Sequence, residues 1–317
     1  GLSLRMTLFD KLGLSWDRAH VPTGSATTVD RAAIRYKQML AQFVFDASAL
    51  EGNPFTFPEV KALMDGLAVG GHTHADEQQV LNLAAAAREL LSMVETGAFR
   101  LDKATFDHLH GLVAREEALE WGCFRGEGKY TDITPHVGLD VGEFTPSHPT
   151  EPGAANLRKL LTDAIQVLET DVPDPRERAM AFFLFGALQQ FYFDGNKRTS
   201  RFMMNGILMS HGMDAISVPA ARAQEFNEKM VRFYVGKDAT EMMNFLIDCQ
   251  PKGSGDPAPL IAKAGFGDEL RAVWQGQYSA EFGNLRDKAP AEPLLFTDAE
   301  PTPSTGHKRT CDRDPQP

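Results

Sequence analysis

Gln190-Phe191-Tyr192-Phe193-Asp194-Gly195-Asn196-Lys197-Arg198-Thr199-Ser200-Arg201 is the stretch on which the fold turns. An apolar helical pattern enters it, a short polar loop around Gly195 interrupts it, and a second helix leaves it carrying Lys197, Arg198 and Arg201. A loop glycine lets backbone come close to a ligand. The helix start behind it presents unpaired N–H groups and partial positive charge, which suits phosphate. Arg198 and Arg201 lie three apart, share one face and can grip one polyphosphate. In isolation the same letters would equally suit a turn with solvated arginines.

Working outward, residues 175–193 follow a good cap, Asp174, and a good first helical residue, Pro175. From Ala179 this helix is apolar nearly all round, so it belongs in the middle of a domain. Further helices are expected over residues 196–211, 221–234 and 238–248 downstream, and over 58–67, 76–96, 102–114 and 156–170 upstream. From Asp30, the spacing of Ile34, Tyr36, Met39, Leu40, Phe43, Val44 and Ala47 predicts one helix that stops at Glu51-Gly52-Asn53-Pro54.

Residues 122–149 break the pattern with glycines and prolines. Two short strands, Lys129-Tyr130-Thr131-Asp132-Ile133 and residues 141–145, would form a hairpin there; a connecting loop is the alternative. Residues 1–29 read as an arm. Residues 250–317 read as an extension with one amphipathic patch over 268–282, and its composition beyond about 287 reads as disordered. The fold class is therefore all-α, a helical bundle with a small hairpin, with one core domain over residues 30–249.

The chain has 317 residues, 24% of them charged, and a net charge of −11. That balance speaks against nucleic acid or an anionic membrane as partner, so a phosphate site must be a local cationic pocket. Cys123, Cys249 and Cys311 show no paired spacing, which predicts a reducing compartment and neither a disulfide framework nor a zinc cage. No apolar run spans a bilayer and no signal-peptide pattern opens the chain, so a cytoplasmic location is expected. His72 and His74, and His108 and His110, are two apart and read as surface or satisfied histidines. His136 and His148 flank the hairpin, where either would be a remote candidate for a base.

Asp194-Gly195-Asn196-Lys197-Arg198 with Arg201 resembles the signature of the Fic (Fido) family, H-x-F-x-[DE]-G-N-[GK]-R-x-x-R, meeting six of its eight defined positions. The resemblance implies a helical bundle with a β-hairpin flap, and transfer of AMP from ATP to a hydroxyl of a target protein. Carried over by position, Asp194 would hold Mg²⁺, a hard cation that takes carboxylate and phosphate oxygens. Asn196 and the loop amides from Gly195 through Lys197 would hold the α-phosphate, Arg198 the β-phosphate and Arg201 the γ-phosphate. The flap, near Lys129 to Ile133, would hold an extended segment of the target by strand addition. Self-association is left open.

Gln190 stands where the family has its histidine base. An amide cannot take the hydroxyl proton, though it can orient a hydroxyl by hydrogen bonding. The resemblance thus implies an impaired adenylyltransferase or, alternatively, a catalytically degenerate domain that regulates by holding a nucleotide or a protein. Ser48-Ala49-Leu50-Glu51-Gly52-Asn53 resembles the family's inhibitory helix motif, although Ala47 stands where that motif wants Ser or Thr. By that resemblance Glu51 would pair with Arg201 and exclude the γ-phosphate.

Overall fold

The computed structural model describes the backbone of residues 2–139, 142–251, 297–299 and 308–311, and side chains over 7–139, 142–251 and 308–311. At its centre lie α8 (Pro175–Gln189) and α9 (Asn196–Ser210), antecedent and sequel of the motif loop. Every residue of α8 from Ala179 to Gln189 is buried, as is every residue of α9 from Asn196 to Met209. This is the helix apolar all round that the sequence places mid-domain. Gly186 makes the close approach of the two helices feasible, because a methyl there would overlap Ser200.

On α9 pack α2 (Val29–Gln38), α5 (His74–Glu95) and α6 (Lys103–Val113), and α3 (Leu40–Leu50) and α4 (Phe57–Met64) pack on α5. On α8 pack α7 (Ala155–Asp171) and α11 (Thr240–Cys249), and α10 (Ala223–Gly236) packs on α11. The single helix expected from Asp30 is two, divided at Met39, whose ψ of 16° leaves the helical range. The stop is where the sequence puts it. Gly52 takes φ +73°, Asn53 N–H donates to Ser48 O and Gly52 N–H to Ala49 O, a Schellman ending that leaves Glu51 as the last residue of the helix rim. Thr56 and Glu59 then form a capping box that starts α4.

Residues 2–12, expected within an arm, form α1 (Leu2–Leu12). It lies along α7, with Leu8 and Leu12 buried and Lys11 Nζ 3.6 Å from Asp163. No described helix is long and apolar enough to cross a membrane.

The hairpin exists, but one strand differs from expectation. Its strands are β2 (His136–Leu139) and β3 (Gly142–Phe144), antiparallel with Val137 opposite Phe144. Lys129 to Ile133 is not a strand. The backbone N–H groups of Lys129 and Tyr130 instead donate to the buried carboxylate of Glu120, at 2.9 and 3.3 Å. Amides satisfied by a side chain have nothing to offer a ladder.

Two pieces of the C-terminal extension are strands. β4 (Thr297–Ala299) pairs antiparallel with β2, and β5 (Arg309–Thr310) pairs parallel with β1 (Glu120–Trp121). The amphipathic patch over 268–282 and most of the stretch expected to be disordered lie outside the described residues. The β5 pairing brings Cys311 to Cys123, and the two form a disulfide with Cα atoms 5.8 Å apart. This corrects the expectation of unpaired cysteines: the partners are 188 residues apart in sequence, so no local spacing announces them. Cys249 is free.

Candidate active site

The loop between α8 and α9 is held by its own side chains. Asn196 at the start of α9 donates from Nδ2 to Tyr192 O (2.8 Å) and to Gln190 Oε1 (3.0 Å), and accepts from Tyr192 N–H at Oδ1 (2.9 Å). Asp194 Oδ1 accepts from Gly195 N–H at 2.7 Å. Gly195 is the N-cap, with φ +78°, and no side chain caps the amides behind it. The first turn of α9 therefore starts without a side-chain cap.

A Cβ at Gly195 would meet Ala114 Cβ at 3.3 Å, in a backbone region costly for residues with one. Gly195→Ala is therefore expected to cost about 1–2 kcal/mol, read from a urea midpoint.

Gln190 caps α8 in the left-handed region (φ 53°, ψ 63°) and is 1% exposed. Its Nε2 donates to Ala187 O at 2.6 Å, while its Oε1 takes the bond from Asn196. The residue at the base position thus braces the loop.

Beneath the loop lies a buried layer, in which His110 is a satisfied histidine, one of the two readings its spacing suggested. His110, fully buried and stacked on Tyr192 at 3.7 Å, donates from Nε2 to Asp194 O at 2.8 Å; its Nδ1 accepts from Gly122 N–H at 3.1 Å. This arrangement needs the neutral ring. Burial, reinforced by the nearby charge of Arg198 and opposed by the bond to Asp194, pushes the imidazole down to about 3. The unfolded chain takes up this proton near pH 6.5 and the folded one does not, so stability falls as pH drops below 6.5 towards 3. A loss of about 2 kcal/mol between about pH 7.5 and about pH 5 is expected in urea midpoints, with a flatter slope in His110→Gln.

Arg125 is a residue the sequence reading missed. Fully buried, it donates from Nε to Gln190 O, from Nη2 to Gln189 O (3.1 Å) and His148 O (2.7 Å), and from Nη1 to Thr150 Oγ1 (3.0 Å). Its own N–H donates to Phe191 O at 3.0 Å. Burial pushes the guanidinium down to about 10.

The cations of the motif have partners within the fold. Arg198 Nη1 donates to both oxygens of Glu117, at 3.1 and 3.2 Å, and its Nη2 lies 3.5 Å from Asp194 Oδ1. Glu51 approaches Arg198 Nε at 3.6 Å, where the inhibitory resemblance implied Arg201 as its partner. Glu117 itself is held by Gln79 Nε2 and Asn82 Nδ2 from α5, both at 3.1 Å. Arg201 reaches instead over the ring of Phe226, 5.5 Å from its centroid. Lys197 is buried. Between α3 and α9, beside Arg198 and Arg201, lies a cavity of about 30 Å³, room for water. Of the expected site residues, Gln190, Asp194, Gly195, Asn196, Arg198 and Glu51 are brought together at the start of α9. Lys129 to Ile133 instead lead into the flap from Glu120.

No family model matches the chain. Over 188 residues it is 26% identical to protein adenylyltransferase fic-1 of Caenorhabditis elegans, a stretch covering 58% of this chain and 34% of that protein. With protein adenylyltransferase Fic of Drosophila ananassae it shares 23% identity over 239 residues, 72% of this chain and 44% of that one. The chain spans less than half the length of these relatives. Among solved structures, Fic-1 from C. elegans superposes with a TM-score of 0.55 at 21% identity, covering 78% of this chain and 69% of that one. At that identity the structural likeness is one of fold.

Proposed function

The chain carries a Fic domain, and from that premise we propose that it is a protein adenylyltransferase, braked by carboxylates at Arg198 and slowed by Gln190. The observation that carries the reading is the uncapped start of α9 with Arg198 beside it. The transferase names of its relatives support it.

In this reading the amides of the first turn of α9 and Asn196 hold the α-phosphate, and Arg198 and Arg201 hold the phosphates beyond it. Lys197, next to them, adds charge to the cradle. Asp194 is the metal ligand. One carboxylate suffices for Mg²⁺, which completes its shell with phosphate oxygens and water, so a dedicated cluster of protein ligands is not needed. Bound there, Mg-ATP supplies an activated α-phosphorus and pyrophosphate as leaving group. A target hydroxyl oxygen bonds to that phosphorus as the bond to the bridging oxygen of pyrophosphate breaks. The hydroxyl proton needs an acceptor, and Gln190 offers an amide without a basic nitrogen.

Glu51 and Glu117 together are the brake. Both lie on Arg198, and a phosphate would have to displace them, so the brake acts on the grip assigned to the β-phosphate. Glu51→Gly is expected to tighten Mg-ATP binding about tenfold, roughly the worth of one charge-assisted contact, as read by calorimetry. Equal affinities in both proteins would sink the brake.

A target's extended segment is held at the flap, and a cytoplasmic setting belongs to the same proposal. A second reading, a domain that binds nucleotide or protein without transfer, draws on one observation: the Gln190 amide is engaged by Ala187 O and Asn196. Incubating the Glu51→Gly protein and a cell lysate with α-labelled and γ-labelled ATP separates the two. The transferase reading expects protein-bound label from the α position alone. No label even with Gln190→His added, while ATP binds, establishes the second reading.

A further inference from the structure

We infer that the edge of the flap is a strand-docking surface whose resident occupant is the chain's own segment Thr297–Ala299, kept there by the Cys123–Cys311 disulfide as a reducible latch. The inference deepens the proposed transferase reading, in which the flap edge is where a target segment is held.

Strand β2 has two edges. One is paired with β3 within the hairpin, and the other with β4, in antiparallel register from His136 opposite Ala299 to Gly138 opposite Thr297. An extended peptide from another protein would add along that second edge, and by main-chain bonds β4 already does. The occupant is covered territory for any competitor, since two strands cannot use one row of N–H and C=O groups.

Three described residues of β4 make a weak association alone. The anchor lies twelve residues on, at Cys311, where Arg309 N–H donates to Leu119 O and Cys311 N–H to Trp121 O, both at 2.9 Å. The disulfide makes that anchor covalent. Once it is reduced, β5 is held only by its main-chain bonds to β1, and when these open the nearest described attachment of β4 is Gln250, about four times farther along the chain. On chain length alone the local concentration of the segment at the flap falls about eightfold, by the −3/2 power of tether length.

The anchored stretch is also the one wired to the motif. Between Glu117 and Arg125 it holds Arg198 through Glu117, His110 through Gly122 N–H, and the end of α8 through Arg125. Latch and site therefore share one short piece of backbone. Cys249 is a poor competitor for either sulfur, because burial pushes its thiol up to about 12.

Release is thiol–disulfide exchange. A dithiol reductant attacks one sulfur of the pair, two electrons and two protons pass to Cys123 and Cys311, and the dithiol leaves as its own disulfide. Such reductants prevail in a cytoplasmic setting, so there the latch stands released, and it holds where the surroundings are oxidising.

The test uses the full chain, oxidised or reduced with dithiothreitol, and does not depend on activity. Peptide mapping of the oxidised protein is expected to link Cys123 to Cys311 and leave Cys249 alkylated. Amide hydrogen exchange over residues 136–139 and 297–299 is expected to be about eightfold slower in the oxidised protein, with Cys311→Ser matching the reduced one. A link through Cys249, or equal exchange in oxidised and reduced protein, overturns the latch. Either result leaves the transferase reading standing, and a chain without transferase activity leaves the exchange result standing.

Discussion

Arg125→Met should lower the stability of the domain by about 3–5 kcal/mol, since it strands several buried carbonyls at once. The guanidinium is fully buried and is shared among Gln189 O, Gln190 O, His148 O and Thr150 Oγ1. Two of those acceptors are the last carbonyls of α8, the negative end of a helix, where a cation is favoured. A methionine fills the volume but donates nothing, so the buried carbonyls of Gln189 and Gln190 lose this donor. Arg125→Lys should rescue little, because a single ammonium cannot span the fork. The urea midpoint and its slope measure both variants; a loss under about 1 kcal/mol would mean that the loop is held some other way.

Gln190→His in a Glu51→Gly background should raise the transfer of AMP label by about 10²- to 10⁴-fold, the usual worth of a general base. The backbone is ready for it. Position 190 has φ 53°, a region in which histidine is among the better tolerated residues with a Cβ. A neutral imidazole has one basic nitrogen, which the target hydroxyl needs, so the bond from Asn196 Nδ2 is given up and the loop is braced by the bonds between Asn196 and Tyr192. A rise in label without a change in ATP affinity assigns the gain to chemistry. Unchanged label in a folded protein that binds ATP places the defect elsewhere than in the missing base.

The motif loop was legible because it is local. Its glycine, its cap and its cations fall within twelve consecutive residues, and the helices beside it carry strong periodicity. The stop at Glu51-Gly52 was legible for the same reason, as a glycine ending followed by proline.

The layer that holds the loop was not legible. Glu117, Glu120, Gly122 and Arg125 lie in a glycine-rich segment without helical or strand period, and each acts through a contact far along the chain. The available signal was the oddity of Arg125 between Phe124 and Gly126, a charge in apolar company. The partner of Glu51 turned on which arginine faces α3, which spacing alone does not decide when Arg198 and Arg201 share a face. The tail strands are two and three residues long and form no pattern. Cys123 and Cys311 meet only because β5 lies on β1.

The central claim is that the start of α9 holds a nucleotide and that carboxylates on Arg198 oppose it. Calorimetric titration of the Glu51→Gly protein with ATP and magnesium tests it most directly, run beside the same protein carrying Arg198→Ala. The account expects saturable binding of one ATP that is weakened at least about tenfold by the second substitution. No binding by a folded Glu51→Gly protein, or binding indifferent to Arg198, would contradict it.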